Sequence, residues 1–227
     1  IYRLNYENTE MQLVQLAQNN FFNYFSKKAA VDKARSNNEF AQAQLETAKA
    51  KFAAGAATQT EVLDAQEAAI KSSQAVTDAQ AQADSTKKKL IISCGWAYNA
   101  EPDFGEVPEL DLRQMDTMNP DTDLEKALSN NYTLRANERK LTNSSSQTQK
   151  DTQNNAIASN KTNIASSLTE AYQNVIAARD AYIYEKTNSE LQEANLETAK
   201  KKYSLGAISL IELKKQENDT VNAKVSY

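Results

Sequence analysis

The chain has 227 residues, a net charge of −4, one cysteine, four glycines, three prolines and no histidine. Without histidine there is no Ser-His-Asp or Cys-His nucleophile, no histidine-bearing metal site and no imidazole base. A lone Cys94 forms no internal disulfide or multi-thiolate site, and a slightly acidic chain has no global attraction for nucleic acid.

Scarce glycine and proline in a chain rich in Ala, Gln, Glu, Lys and Asn predict long helices and an all-α fold. Ile1, in place of an initiator methionine, reads as the start of a processed or excised chain with no signal peptide left on it. The first helix is expected over residues 8–53, roughly 70 Å at the α-helical rise. Along it, Tyr24, Lys27, Val31, Ala34, Asn38, Ala41, Leu45, Ala48 and Phe52 recur in alternating steps of three and four. That is a coiled-coil seam with Lys27 and Asn38 as imperfections. A second helix over 59–93, roughly 50 Å long, continues the pattern. Its seam is Val62, Ala65, Ala69, Ser72, Val76, Ala79, Ala83, Thr86 and Leu90. Such small residues let helices approach closely but bury little apolar area, so one hairpin alone should be marginal and need neighbours.

The run from Lys87 to Cys94 imitates a lipoprotein signal, but the apolar part is too short and lies mid-chain, so a helix end with a buried thiol is expected. No apolar run approaches the ~20 residues of a membrane-spanning helix. Gly95, Pro102, Gly105, Pro108 and Pro120 concentrate in one irregular connector, residues 95–120, which also holds Trp96. Beyond it, Thr122 with Glu125 should open a short helix, and residues 133 to about 148 another. Part of the polar stretch 143–155 reads as a reversal, and residues 157–204 as the second long helix.

Residues 45–61 and 196–212 share nine of 17 positions at a constant offset of 151, so the chain is an internal duplication. Each copy carries a glycine, Gly55 or Gly206, suited to a left-handed helix stop. Three residues later comes Thr58 or Ser209, and three beyond that Glu61 or Glu212, which is capping-box spacing. Each motif therefore predicts the tip of an antiparallel helical hairpin.

This duplicated hairpin, with its Gly-x-x-[Ser/Thr]-x-x-Glu-[Val/Leu] tips at residues 55–62 and 206–213, resembles the TolC-like outer-membrane efflux proteins. The proline-bearing connector and the segment Ala127-Leu-Ser-Asn-Asn131 support the resemblance, which covers nearly the whole chain. It implies an elongated antiparallel bundle of two repeats, residues 1–94 and 121–227, joined by the 95–120 connector. It also implies a homotrimeric tunnel in the cell envelope, on the periplasmic side of the outer membrane. That tunnel serves efflux or type I secretion together with a periplasmic adaptor (membrane-fusion) protein and an inner-membrane pump. By the same resemblance the tips, Ala54, Gly55, Ala56, Ala57 and Thr58 with Leu205, Gly206, Ala207, Ile208 and Ser209, are the adaptor-docking elements. Glu61, Asp64 and Glu212 are candidates for the acidic pore constriction, Asp64 the cleaner because no cap needs it. No catalytic residue, cofactor or metal is implied.

The family's strand hairpins should precede residue 1 and interrupt the chain near 145–157, yet the latter stretch lacks the alternation of a barrel strand. The membrane barrel is thus expected to be missing. The competing readings are an adaptor-like or structural coiled-coil envelope protein without a conduit, and an enzyme using Glu61, Asp64 and Glu212. The first should carry β-rich flanks around a single hairpin. Capping and solvation account for the carboxylates of the second.

Overall fold

The computed structural model describes residues 2–227, which form seven helices and no strand among the described residues. They are α1 (Tyr2–Ala53), α2 (Gln59–Ser93), α3 (Leu112–Asp116), α4 (Pro120–Asn130), α5 (Tyr132–Thr142), α6 (Gln147–Ser204) and α7 (Leu210–Ser226). The all-α fold is as expected, and α2 has the anticipated ends.

Two compact units arise. One comprises the chain up to Leu16 together with Pro108–Ala181; the other comprises Ala17–Val107 and Tyr182–Tyr227. Both tips belong to the second unit. There, the seam of α2 is buried or half-buried at all nine predicted positions, from Val62 to Leu90. The seam of α1 is likewise covered from Tyr24 to Ala48, and only Phe52, 44% exposed, lies open beside the tip. The duplication extends to this packing. Val31, Leu45 and Ala69 are buried, and at the same offset Tyr182 and Leu196 are half-buried and Thr220 is buried. Two repeats of one pattern thus present the same faces inward.

The core of this unit is partly polar. Asn38, an imperfection of the first seam, accepts a hydrogen bond from Ser72 (3.0 Å), linking α1 to α2. The neighbouring Ser36 donates to the buried Asn218 (2.9 Å), and Asn222 donates to Asn37 (3.3 Å), linking α1 to α7. Gln216 reaches the Gln192 side chain (2.9 Å) and the Thr220 hydroxyl the Gln192 carbonyl (3.1 Å), linking α7 to α6. One hydrogen-bonded layer therefore crosses four helix arms of this unit. Buried amides need such partners, and each partner fixes the helices along their axes.

Helix α2 stops at Gly95, φ +78°, where Trp96 N–H reaches back to the Ile91 carbonyl (3.1 Å). Cys94 caps this end and is exposed, so the expected buried thiol is corrected: the seam ends with Leu90 and Ile91, and the closing turn directs residue 94 outward. Trp96 meets Phe104 at a tilt, and Phe104 meets Tyr24 of α1 at 5.5 Å between ring centres.

In the other unit the boundaries differ from the sequence reading. Helix α4 begins at Pro120 with Asn119 as its cap; Thr122 donates to the Asn119 carbonyl instead of capping. Proline at the first helical position, whose missing N–H would be unpaired anyway, favours this earlier start. Helix α5 ends at Thr142 rather than near 148, and α6 begins at Gln147, ten residues early. The reversal is therefore residues 143–146 alone, and no strand interrupts the chain there. Tyr172 of α6 donates to the Asp123 carboxylate of α4, which Lys126 also contacts (3.1 Å). These two donors, Tyr172 foremost, hold the Asp123 carboxyl below its ordinary range, while burial and the neighbouring anion push the Tyr172 phenol up.

Candidate functional site: the hairpin tips

The two tips are built alike from the backbone up. At the first, Ala56 N–H bonds to the Lys51 carbonyl (2.8 Å) and Gly55 N–H to the Phe52 carbonyl (2.9 Å). At the second, Ala207 N–H bonds to Lys202 (2.8 Å) and Gly206 N–H to Tyr203 (2.9 Å). These paired bonds satisfy the last carbonyls of the incoming helix and require the following residue in the left-handed region. Gly55 and Gly206 occupy it, at φ +73° and +70°.

Two residues then carry the chain to extended caps, Thr58 and Ser209. Thr58 N–H donates to the Glu61 carboxylate (2.6 Å) while Glu61 N–H donates to the Thr58 hydroxyl oxygen (3.2 Å). The Ser209 and Glu212 pair repeats this at 2.8 and 3.4 Å. Both capping boxes are complete, so the hairpin tips read from spacing exist as such. Backbone and hydroxyl donors from the cap hold each glutamate carboxyl below its ordinary value of 4.5.

The three acidic candidates thus separate. Glu61 and Glu212 are engaged by their caps. Asp64, one turn further along α2, is exposed and makes no hydrogen bond or ion pair among the described residues, so of the three it is the one that presents an uncommitted carboxylate. In the second repeat its place is taken by Lys215, which pairs with Asp219 (2.6 Å).

Most side chains at the turns are open to solvent. Leu205 is 83% exposed and Leu210 half exposed, while Ala54, Gly55 and Ala56 are open and Ala57 and Ile208 half-buried. Neither glycine has any atom within 4 Å of where a Cβ would stand. Elsewhere, a groove of about 410 Å³ in the first unit is lined by Asn131, Asn160, Asn163, Ile164 and Leu168 among others, with no carboxylate, amine or thiol on its walls. No described helix is long and apolar enough to cross a membrane.

An all-α chain whose repeated long-helix hairpins end in matching capped turns has the TolC-like fold that its sequence resembles. It is similar to the crystal structure of the Campylobacter jejuni CmeC outer membrane channel, at 15% identity and a TM-score of 0.51. The match covers 98% of this chain and 60% of that one, so the chain spans less than two thirds of the channel's length. Neither the protein-family models nor the curated proteins include a match.

Proposed function

We propose that this chain is the helical part of an efflux or type I secretion conduit, a non-enzymatic component of the cell envelope that assembles as a trimer. In this reading repeats 1–94 and 121–227 form the wall, the 95–120 segment links them, and the tips dock a periplasmic adaptor that connects to an inner-membrane pump. The observation that carries the reading is the duplicated tip. The same stop, two-residue turn and cap occurs twice, with its backbone satisfied internally and its side chains left to solvent. A rigid, self-satisfied turn that exposes small and apolar side chains is well prepared for a partner. The fold shared with an outer membrane channel supports the conduit. Asp64, exposed and uncommitted near a helix start, is the residue assigned to the narrow end; a ring of such carboxylates would favour cations there.

The test is a bulky substitution outside the left-handed position, Ala56→Trp and Ala207→Trp, in the full-length protein in its own host. The readouts are the export phenotype that deletion of the protein abolishes, and helix content. Export lost with helix content intact supports docking, whereas unchanged export in both variants reduces the tips to turns.

A further inference from the structure

The duplication provides an internal comparison that separates what a tip needs for folding from what it carries besides. The hydrogen bonds and backbone angles of the two tips coincide, yet their side chains do not. Leu205, Ile208 and Leu210 of the second tip stand where the first has Ala54, Ala57 and Gln59. Because the alanine tip closes with the same bonds, the turn has no structural need of a leucine at its apex, and Leu205 is nonetheless 83% exposed.

Charge divides the tips in the same sense. Residues 49–64 hold two lysines and two carboxylates, net zero, whereas residues 200–215 hold five lysines and one glutamate, net +4. Of the five, Lys200, Lys214 and Lys215 are paired with Glu197, Glu217 and Asp219. Among the described residues Lys201 and Lys202, one turn before Leu205, make no ion pair, and Lys201 acts on the Glu197 carboxyl only from a distance. The second tip is an aliphatic apex with an excess of lysine over carboxylate behind it.

Resting on the docking reading above, we infer that the tips are unequal. Leu205 is the anchor that enters an aliphatic pocket rimmed by carboxylates on a protein partner, with Lys201 and Lys202 meeting the rim. The small residues of the first tip serve only as a flat surface of close approach. A single aliphatic side chain on a hydrogen-bonded turn suits a pocket, because the backbone beneath it is already ordered. It does not suit a lipid surface, which needs a longer apolar helical face to hold a protein. Complementary charge at the rim would steer the encounter more than tighten it.

The test places a photo-crosslinking amino acid at Ser204, or at its counterpart Ala53, in the full-length protein in its own cells, and maps the linked peptides by mass spectrometry. The expected product from position 204 is a partner peptide with aliphatic residues and carboxylates. Its yield should fall about tenfold or more with Leu205→Ala, from burial of one leucine side chain. Leu205→Met should retain it, the Lys201→Glu, Lys202→Glu pair should reduce it, and Ala54→Glu should change linking from position 53 less than threefold. Helix content is followed in each variant, all substituted groups being exposed. Equal losses from Leu205→Ala at position 204 and Ala54→Glu at position 53 overturn the anchor while leaving docking in place. Absence of any protein product from both positions overturns docking with it. Linkage to lipid or to a second copy of the chain assigns the apex to a different occupant and refutes the inference.

Discussion

Removing a cap tests the tips as folding elements, and the structure fixes what should be lost. In Thr58→Ala the Glu61 N–H loses its acceptor, and the carboxylate that closes the box loses the hydroxyl it holds at 3.0 Å. In Ser209→Ala the Glu212 N–H and a 2.7 Å contact are lost in the same way. Caps of this kind are worth about 1 kcal/mol, within a range of roughly 0.5–2. Both sites are exposed and water can replace part of the loss, which favours the lower half of that range. Each single variant should therefore cost about 0.5–1 kcal/mol, lowering a thermal midpoint by about 1–4 °C in a chain of this size. The double variant should cost the sum, because the two boxes share no partner. Denaturant unfolding gives the totals, and native-state hydrogen exchange at the first amides of α2 and α7 localises them. The reasoning fails if either single variant is neutral within 0.2 kcal/mol, or if one cap costs several times the other.

Gly206→Ala should destabilise by about 1–2 kcal/mol through its positive φ alone, since no atom crowds the new methyl, and Ala207→Ser beside it should be nearly neutral in the same melt. Asn218→Ala removes the acceptor of Ser36 in the hydrogen-bonded layer and should cost about 1–3 kcal/mol, seen as faster exchange in α7 before α2; a loss under 0.5 kcal/mol would contradict the layer's role. The glutamates of both capping boxes have folded values below 4.5, so their contribution is complete above that pH and disappears as pH falls through the lowered values. Glu61→Gln with Glu212→Gln should flatten the acid limb of stability, and an unchanged limb would refute it. Tyr172→Phe should return the Asp123 carboxyl toward its ordinary range, measurable by carboxyl carbon NMR titration, with no movement counting against the contact.

The parts of the fold legible in the sequence were those where a local rule and the seam agreed. Thr58 with Glu61 and Gly95 delimit α2 because a capping box and a left-handed stop leave the chain no competing arrangement. The early start of α6 was carried by a signal of the same kind: Ser146 accepts from Gln149 N–H (3.2 Å) and Ser146 N–H reaches the Gln149 side chain (3.4 Å), a Ser-x-x-Gln box. It was obscured because residues 147–155 lack an apolar stripe, and polar helix needs neighbouring contacts such as Gln147 to Asp151 (2.8 Å) to declare itself. Asn38 was visible only as a flaw in a seam. Its partner Ser72 lies on the facing seam predicted for α2, but the layer continues through Asn218, and pairing across 182 residues is not written in any local spacing. At the tips, spacing located the turns and caps, and by assigning Glu61 and Glu212 to the caps it already set Asp64 apart, while the exposure of Leu205 at the second apex is not written in any spacing.

The most direct test of the account is electron cryo-microscopy of the full-length protein purified from its own membranes. The account predicts a ring of three copies enclosing a lumen, with all six tips at one end and the Asp64 carboxylates facing inward near it. A solid helical bundle without a lumen, or a ring with tips buried against its own wall, would contradict it.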